Sequence, residues 1–259
     1  MIDALRPNRS ITGKAWLIVA LTWTALLLIA WSLGAAYLIP SPLQILYALG
    51  RLIQEDGLLF ELWASFKVNA AALCIATAIS FSLSYLMVVP ALRPAALILG
   101  KARFFGLAGF VVVFTLAFGE GTGLKIALLT FGSAVFQVTS MCAVVASIPG
   151  SEFDHARSLR MGEWRIVWEI DILSRAHEGF EVIRQNAAMG WVMLTVVEGL
   201  VRSGGGAGVL MIDYGKHFML DKVFAIQLSI FAIGTAQDAF ISWLKNVFCP
   251  YSLLTTERR

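Results

Sequence analysis

Residues 151–181 combine acidic and basic side chains at a density that the rest of the sequence lacks. So many charges cannot be placed in membrane hydrocarbon, so this stretch is predicted to lie in water or at a protein surface. The two signs are mixed, without a spacing typical of catalysis or of metal ligation. The nucleotide-binding sequence Gly-x-x-x-x-Gly-Lys-Ser/Thr is also absent from the chain. No catalytic residue, metal site or bound cofactor is therefore predicted.

Glu198 is a second candidate, because it is a carboxylate inside the apolar run 182–201. An ionisable group in a membrane span costs about 2.5–3.5 kcal/mol on insertion scales, so it should face protein or water. One interpretation is a helix that lines and gates a pathway. Two neighbouring faces of this helix would then line the pathway with Asn186, Gly190, Trp191, Met193, Val197 and Glu198. The alternative is a structural pair between Glu198 and Arg202, one turn later.

The composition limits the class of protein to which these residues belong. Of 259 residues, 58% are hydrophobic and 14% are charged, and the mean hydropathy is +0.77. Soluble domains carry about 25% charged residues, so the chain lacks the polar surface of a water-facing globule. A soluble enzyme and a disordered chain are excluded. A net charge of +3 fits basic loops facing anionic lipid better than a nucleic-acid surface, so no nucleic-acid partner is expected.

The apolar runs predict an all-α polytopic membrane bundle, a single domain over residues 1–259. A bilayer core about 30 Å thick needs about 20 apolar residues per helix. Six runs are interpreted as spans: 15–39, 63–89, 94–118, 124–148, 182–201 and 223–247. A short amphipathic helix is predicted at 43–59. Lys67 and Lys125 are expected to extend to the interface, whereas Asp238 should meet a polar partner inside the bundle.

The distribution of lysine and arginine predicts the orientation. Fourteen of the 20 basic residues fall on the side of the chain termini and of the 151–181 stretch. The positive-inside rule places that side in the cytoplasm.

Within residues 151–181 the sequence predicts two short helices that meet at a kink near Gly162. Trp164, Val167 and Trp168 fall on one face of the second helix. Two short helices joined in this way could present a rigid protruding surface to a partner protein. The segment could equally be a loop helix that lies at the lipid surface.

This segment resembles the EAA motif of the permease subunits of ABC importers, in which Glu-Ala-Ala is followed by a glycine. Asp154-His155-Ala156 stands for the triplet, and Gly162 comes two residues later than the usual spacing. Weaker similarities to the nitrate/sulfonate/taurine branch occur in the same order along the chain. They are Leu38-Ile39-Pro40-Ser41-Pro42, Phe118-Gly119-Glu120-Gly121 with Lys125-Ile126, Val197-Glu198 and Gly204-Gly205-Gly206-Ala207-Gly208.

The resemblance implies a type I importer permease in a bacterial inner membrane, with both termini cytoplasmic. Two permeases, as a homodimer or a heterodimer, would pair. An external solute-binding protein would deliver a small polar or anionic solute such as nitrate, a sulfonate, taurine or bicarbonate. Partner ATPases would bind ATP and magnesium. Gly162 would permit the turn of the coupling helix, and Leu159 and Met161 would fill a groove of the ATPase. The docking residues implied are Asp154, His155, Ala156, Arg157, Leu159, Met161, Gly162 and Trp164.

The chain departs from that family at two places. The family's two prolines after the glycine are missing from the stretch 173–178, and nothing between Phe104 and Phe118 is proline. These losses are expected to alter helix directions. They leave open a divergent, mainly structural permease paired with a second one, and an intramembrane enzyme remains a weaker alternative.

Overall fold

The computed structural model describes residues 13–34 and 40–251, and this part of the chain is helical without any strand. A 3₁₀ turn occupies Ala102–Phe104, and a π-helix occupies Val167–Leu173. The α-helices are α1 Gly13–Gly34, α2 Pro42–Gln54, α3 Leu58–Leu86, α4 Arg93–Lys101, α5 Leu107–Phe118, α6 Thr122–Ala146, α7 Gly150–Ser158, α8 Glu163–Ile166, α9 Ala176–Leu200, α10 Ala207–Lys216 and α11 Leu220–Phe248. The predicted all-α fold class is confirmed.

Helix α6 lies at the centre of the bundle, since it packs against α3, α4, α5 and α9. Helix α11 closes the other side of α9 and also contacts α2 and α10. The largest apolar core joins α2, α3, α6, α9, α10 and α11 through buried side chains such as Leu62, Leu129, Leu194 and Ile226. Their burial sets the positions of the polar groups described below.

The amphipathic helix α2 begins with a capping box. The Gln44 backbone N–H donates to Ser41 Oγ, and the Ser41 N–H donates to the Gln44 side chain. Ile45, Ala48 and Leu52 are buried on one face of it. The helix ends earlier than the predicted residue 59, because Gly57 adopts a left-handed φ of 64° and the chain turns into α3.

Three described helices are long and apolar enough to cross a membrane: α3, α6 and α11. They correspond to the second, fourth and sixth predicted spans. The first predicted span is represented by α1, whose shorter apolar part is Ala15–Trp31, and residues 35–39 lie outside the described residues. The fifth corresponds to α9, which Arg184, Asn186 and Glu198 make more polar. The count of six spans therefore stays a prediction.

The third predicted span, 94–118, is not one straight helix. Arg93–Phe104 and Leu107–Phe118 meet at an angle of 112°. Phe105 and Gly106 have extended ψ values of 129° and 133°, which interrupt the helical hydrogen bonds between α4 and α5. Helix α5 has 12 residues, about 18 Å at 1.5 Å per residue, so it is too short to cross about 30 Å of hydrocarbon alone.

Candidate functional site

The charged stretch forms α7, a sharp turn, α8 and the π-helix, so the predicted pair of short helices is confirmed. Helix α7 ends in a Schellman motif, in which the Met161 N–H donates to the Ala156 carbonyl at 3.2 Å. The left-handed residue of this turn is Arg160, with φ 58°. An arginine thus occupies the conformation for which glycine is preferred.

Gly162 does not make the turn, which corrects the expected reason for its presence. Its φ of −70° and ψ of 148° are ordinary extended values. A Cβ atom at this position would meet no heavy atom within 4 Å. A Cβ atom could therefore be added at Gly162 without a clash and without backbone strain.

The turn presents apolar side chains to its surroundings. Leu159 is 63% exposed and Trp164 is 72% exposed. Trp168 is also exposed, so both predicted tryptophans lie on an open face, while Val167 is half-buried. Among the other residues predicted to dock a partner, Asp154, His155, Arg157 and Gly162 are exposed, Met161 is half-buried and Ala156 is buried.

A groove of about 400 Å³ runs between α7 and the π-helix. Its walls mix apolar and polar side chains, including His155, Leu159, Met161, Glu169 and Ile170. The exposed turn and this groove together form one surface, which we call the docking surface. It combines apolar anchors with a polar rim, as protein–protein interfaces do.

Ion pairs hold the docking surface together and join it to α9. Arg157 pairs with Glu163 at 3.1 Å, which bridges α7 and α8 and holds the pKa of the Glu163 carboxyl below its usual range. Arg175, at the start of α9, pairs with Glu152 of α7 at 2.9 Å and with Glu178 at 3.0 Å. The Arg175–Glu152 pair is thus a direct contact between α7 and the beginning of α9.

The π-helix buries Asp171 completely, and neither of its carboxylate oxygens has a hydrogen-bond partner among the described residues. Burial raises the pKa of this carboxyl to about 6. The chain turns directly after it, at Ser174 and Arg175, although no proline is present to break the helix. The helix is therefore interrupted at this point even though the two prolines of the family are missing.

At the other end of α9, polar side chains from three helices hold the glycine-rich loop 204–208. The Gly208 N–H donates to Glu198 at 2.7 Å, and the Ala207 N–H donates to Ser65 Oγ at 2.9 Å. The Gly206 N–H donates to Glu61. These side chains satisfy the free N–H groups at the beginning of α10. Ser65 also donates to Glu198 at 2.7 Å.

Lys125 of α6 completes this arrangement by donating to the Gly205 carbonyl. We call Glu61, Ser65, Lys125 and Glu198 the polar clamp. Only 1% of Glu198 and 2% of Lys125 is exposed. Lys125 is therefore buried rather than extended to the interface, which corrects that expectation. A cavity of about 300 Å³ beside the clamp is lined by Lys67, Lys125, Glu198 and the loop.

The alternative pair between Glu198 and Arg202 is wrong. Arg202 pairs with Asp213 of α10, while Glu198 turns inward to Ser65 and the loop. The sequence analysis missed Glu61 and Ser65. Their spacing of four residues places them on one face of α3, and this pattern beside a buried glycine loop is the signal that could have identified them.

The six residues predicted to line a pathway on α9 do not share one surface. Asn186 donates to the Val182 carbonyl, and Gly190 packs against Asn69 of α3. Trp191 donates to Gln237 of α11 at 2.9 Å and borders a cavity of about 310 Å³. Met193 contacts Gly132, and Val197 packs with the α6 residues Leu124 and Leu128. Glu198 belongs to the polar clamp.

Asp238 has a polar partner inside the bundle, as predicted. Arg184 of α9 pairs with it at 3.1 Å and also binds Glu181 at 3.2 Å. Lys245 lies 3.6 Å from Glu181. This network fastens α9 to α11 at the end that carries the docking surface.

The fold has solved counterparts. No family profile and no curated protein matches the sequence. A structure of the MetNI methionine ABC transporter, in an inward-facing conformation, is similar with a TM-score of 0.61 at 15% identity, over 74% of this chain and 95% of the other. A crystal structure of an amino acid ABC transporter with histidines is similar with a TM-score of 0.59 at 14% identity, over 76% of this chain and 95% of the other. The chain therefore has the fold found in these ABC transporter structures.

Proposed function

We propose that the chain is the membrane-spanning permease subunit of an ATP-driven importer, with ATP hydrolysed by a separate partner. The observation that carries this proposal is the docking surface on a chain that shares the fold of two ABC transporter structures over about three quarters of its length. Leu159 and Trp164 supply exposed apolar anchors at its centre. Isolated exposed side chains are common, but anchors on an ion-paired turn are suited to a protein groove.

The position of Arg160 supports the similarity to the EAA motif. With Asp154-His155-Ala156 as the triplet, the usual spacing of the family places its glycine at position 160. Position 160 is where the backbone turns left-handed. A left-handed backbone favours glycine, so the conformation of Arg160 supports the comparison with a motif whose glycine would stand at this position.

The contacts of α9 support a mechanical role. When ATP closes the partner ATPases, a pull on α7 acts on α9 through the Arg175–Glu152 pair. The far end of α9 carries Glu198, which holds the glycine loop. We infer that α9 connects the docking surface to the polar clamp, so that a motion of the docking surface changes the contacts of the clamp. This chain supplies no group to the ATP chemistry, and ATP and magnesium belong to the partner.

The wider assembly follows from the same proposal. A second permease, identical or different, pairs with this chain, and an external binding protein delivers a small polar or anionic solute. The chain lies in a bacterial inner membrane with both termini and the docking surface in the cytoplasm, as the distribution of basic residues indicates.

The test uses two glycines that both have open space around them, one inside the docking surface and one outside it. Gly162 lies in the docking turn and Gly215 near the end of α10, and a Cβ atom at either would meet nothing within 4 Å. Both Gly162→Trp and Gly215→Trp should therefore insert and fold normally. We expect only Gly162→Trp to lose ATP-dependent solute uptake, because its indole would obstruct the ATPase groove.

The readouts are co-purification of an ATPase and uptake into vesicles. Retention of the ATPase and of full uptake by Gly162→Trp would refute the docking role. Equal loss in both variants would indicate a defect of folding and would also count against the assignment. Purification of the wild-type chain without any nucleotide-hydrolysing partner would refute the proposed function as a whole.

A further inference from the structure

The segment 93–104 has the properties of a helix that lies along a membrane surface. It is bent by 112° from α5, so the two cannot both run along the membrane normal. Its outer face exposes large apolar groups, with Ile98 70% and Phe104 80% exposed. Arg93 lies at the beginning of α4, Lys101 at its end and Arg103 just beyond. Apolar and basic residues on one such helix are typical of interfacial helices.

A cavity of about 450 Å³ lies beside the contact between α4 and α6. Its lining includes three basic residues, Arg93, Lys101 and Arg103. Thr139 also lines it, but its hydroxyl donates to the Val135 carbonyl at 2.9 Å and lies 3.3 Å from the Gly100 carbonyl. The apolar residues of the lining are Met87, Ala96, Leu97, Cys142, Ala143 and Ala146.

The positive charge of this cavity is not neutralised within the described residues. None of Arg93, Lys101 and Arg103 forms an ion pair there. The cavity lining contains no acidic residue, and the sequence contains none between Glu61 and Glu120. By contrast, Arg157, Arg175, Arg184 and Arg202 elsewhere in the chain all have carboxylate partners.

We propose that this cavity between α4 and α6 binds one anionic phospholipid, with its headgroup among the basic residues Arg93, Lys101 and Arg103 and an acyl chain along the apolar residues. A guanidinium group can bind two phosphate oxygens at once, and a lysine adds a point charge. A soluble anion would leave the apolar residues uncovered. A neutral lipid would leave the three cations without an anionic partner, since Arg103 otherwise lies against the Phe104 ring, 5.1 Å from its centroid. A lipid that combines phosphate and hydrocarbon satisfies both sets of residues, and basic pockets between membrane helices are known to take such headgroups.

The charged part of the proposal is tested by triple replacement of Arg93, Lys101 and Arg103 with Gln. Bound lipid is measured on the purified full chain by native mass spectrometry, with phosphatidylglycerol and phosphatidylcholine of the same acyl chains as probes. Each basic residue near an anionic surface is worth about fivefold in binding, so we expect affinity for phosphatidylglycerol to fall by about 100-fold. A control with the same loss of charge replaces the exposed Arg51, Arg165 and Lys216 with Gln, and its affinity should stay near that of the wild type.

A second variant, Ala146→Trp, fills the apolar part of the cavity and leaves every cation in place. It should also weaken binding of phosphatidylglycerol, and it keeps the proposal testable if the triple variant does not fold. Equal binding of the two lipids by the wild type would overturn the proposal. So would an unchanged affinity in Ala146→Trp, which would indicate diffuse attraction to the membrane. Tight binding of inorganic phosphate alone would indicate a site for a soluble anion and would overturn it as well.

Discussion

Removal of the Glu198 carboxylate should destabilise the end of the bundle that the polar clamp holds. The variant Glu198→Ala takes away the acceptor of two hydrogen bonds, from Ser65 Oγ and from the Gly208 N–H, both 2.7 Å long. Ser65 is fully buried, and only 1% of Glu198 is exposed.

The expected magnitude follows from these two donors. A buried donor left without a partner costs about 1–3 kcal/mol, so the two together cost about 2–6 kcal/mol. The loss of a negative charge near the buried Lys125 adds to this cost. For a chain of this size, 1 kcal/mol corresponds to about 2–4 °C in the unfolding midpoint. We therefore expect the midpoint of Glu198→Ala to fall by at least about 4 °C.

The assay is thermal unfolding of the purified protein in detergent, followed by the loss of helical signal. Glu120→Ala is the matched control, because this carboxylate lies exposed in the turn between α5 and α6. Its midpoint should not move. Glu198→Gln retains one acceptor oxygen, so its midpoint should fall between those of the wild type and Glu198→Ala.

A midpoint for Glu198→Ala within about 1 °C of that of Glu120→Ala would refute the reasoning, since the loss would then be below about 1 kcal/mol. Such a result would mean that the loop 204–208 is held by its apolar neighbours and that the clamp contributes little.

Three further substitutions are expected to change stability in directions that the structure fixes. Gly206→Ala should lower the unfolding midpoint by several degrees, because Gly206 has φ 120° and an added Cβ would clash with the Glu198 carboxylate. Gly162→Ala is the control, and it should leave the midpoint unchanged because an added Cβ there lies in open space. Arg160→Gly should raise the free energy of unfolding by about 1 kcal/mol, because glycine adopts the left-handed φ of 58° without strain; denaturant unfolding measures this, and a lower stability would contradict it. Asp171→Asn should be more stable than the wild type at pH 8 and equal to it near pH 3. Burial raises the pKa of Asp171 from 3.8 to about 6, so the cost of its charge is absent below the lower value and complete, up to about 3 kcal/mol, above the higher one. A stability difference that does not vary with pH would refute this assignment.

The sequence predicted most of the helices because hydrophobic runs and their breakers act locally. Pro40, Ser41 and Pro42 precede α2, and Pro149 precedes α7, since proline restricts the backbone before a helix and fits its first turn. The charges of 151–181 likewise indicated a segment outside the hydrocarbon. The bend between α4 and α5 was missed, because Phe105 and Gly106 lie at the beginning of the apolar run 104–118, where no proline marks a break.

The two parts of the candidate site differ in how far the sequence could predict them. The residues proposed to dock a partner lie within 11 positions of one another, from Asp154 to Trp164, so a short motif and its resemblance to a known family were enough to propose them. The clamp residues lie as much as 137 positions apart, from Glu61 to Glu198. Nothing in the spacing of such distant residues indicates which of them meet.

The sequence alone predicted an apolar helical bundle and a charged segment outside it, because hydropathy and charge density are both summed over neighbouring residues. The packing of the helices determined which hydrogen-bond or ion-pair partner each polar group contacts. Lys125 could have extended to water and Glu198 could have paired with Arg202, but the close approach of α3, α6 and α9 turned both inward to the glycine loop. Packing also decided that Arg160, not Gly162, takes the left-handed turn. A buried charge must find its partner within the protein, so its role depends on which helices meet around it.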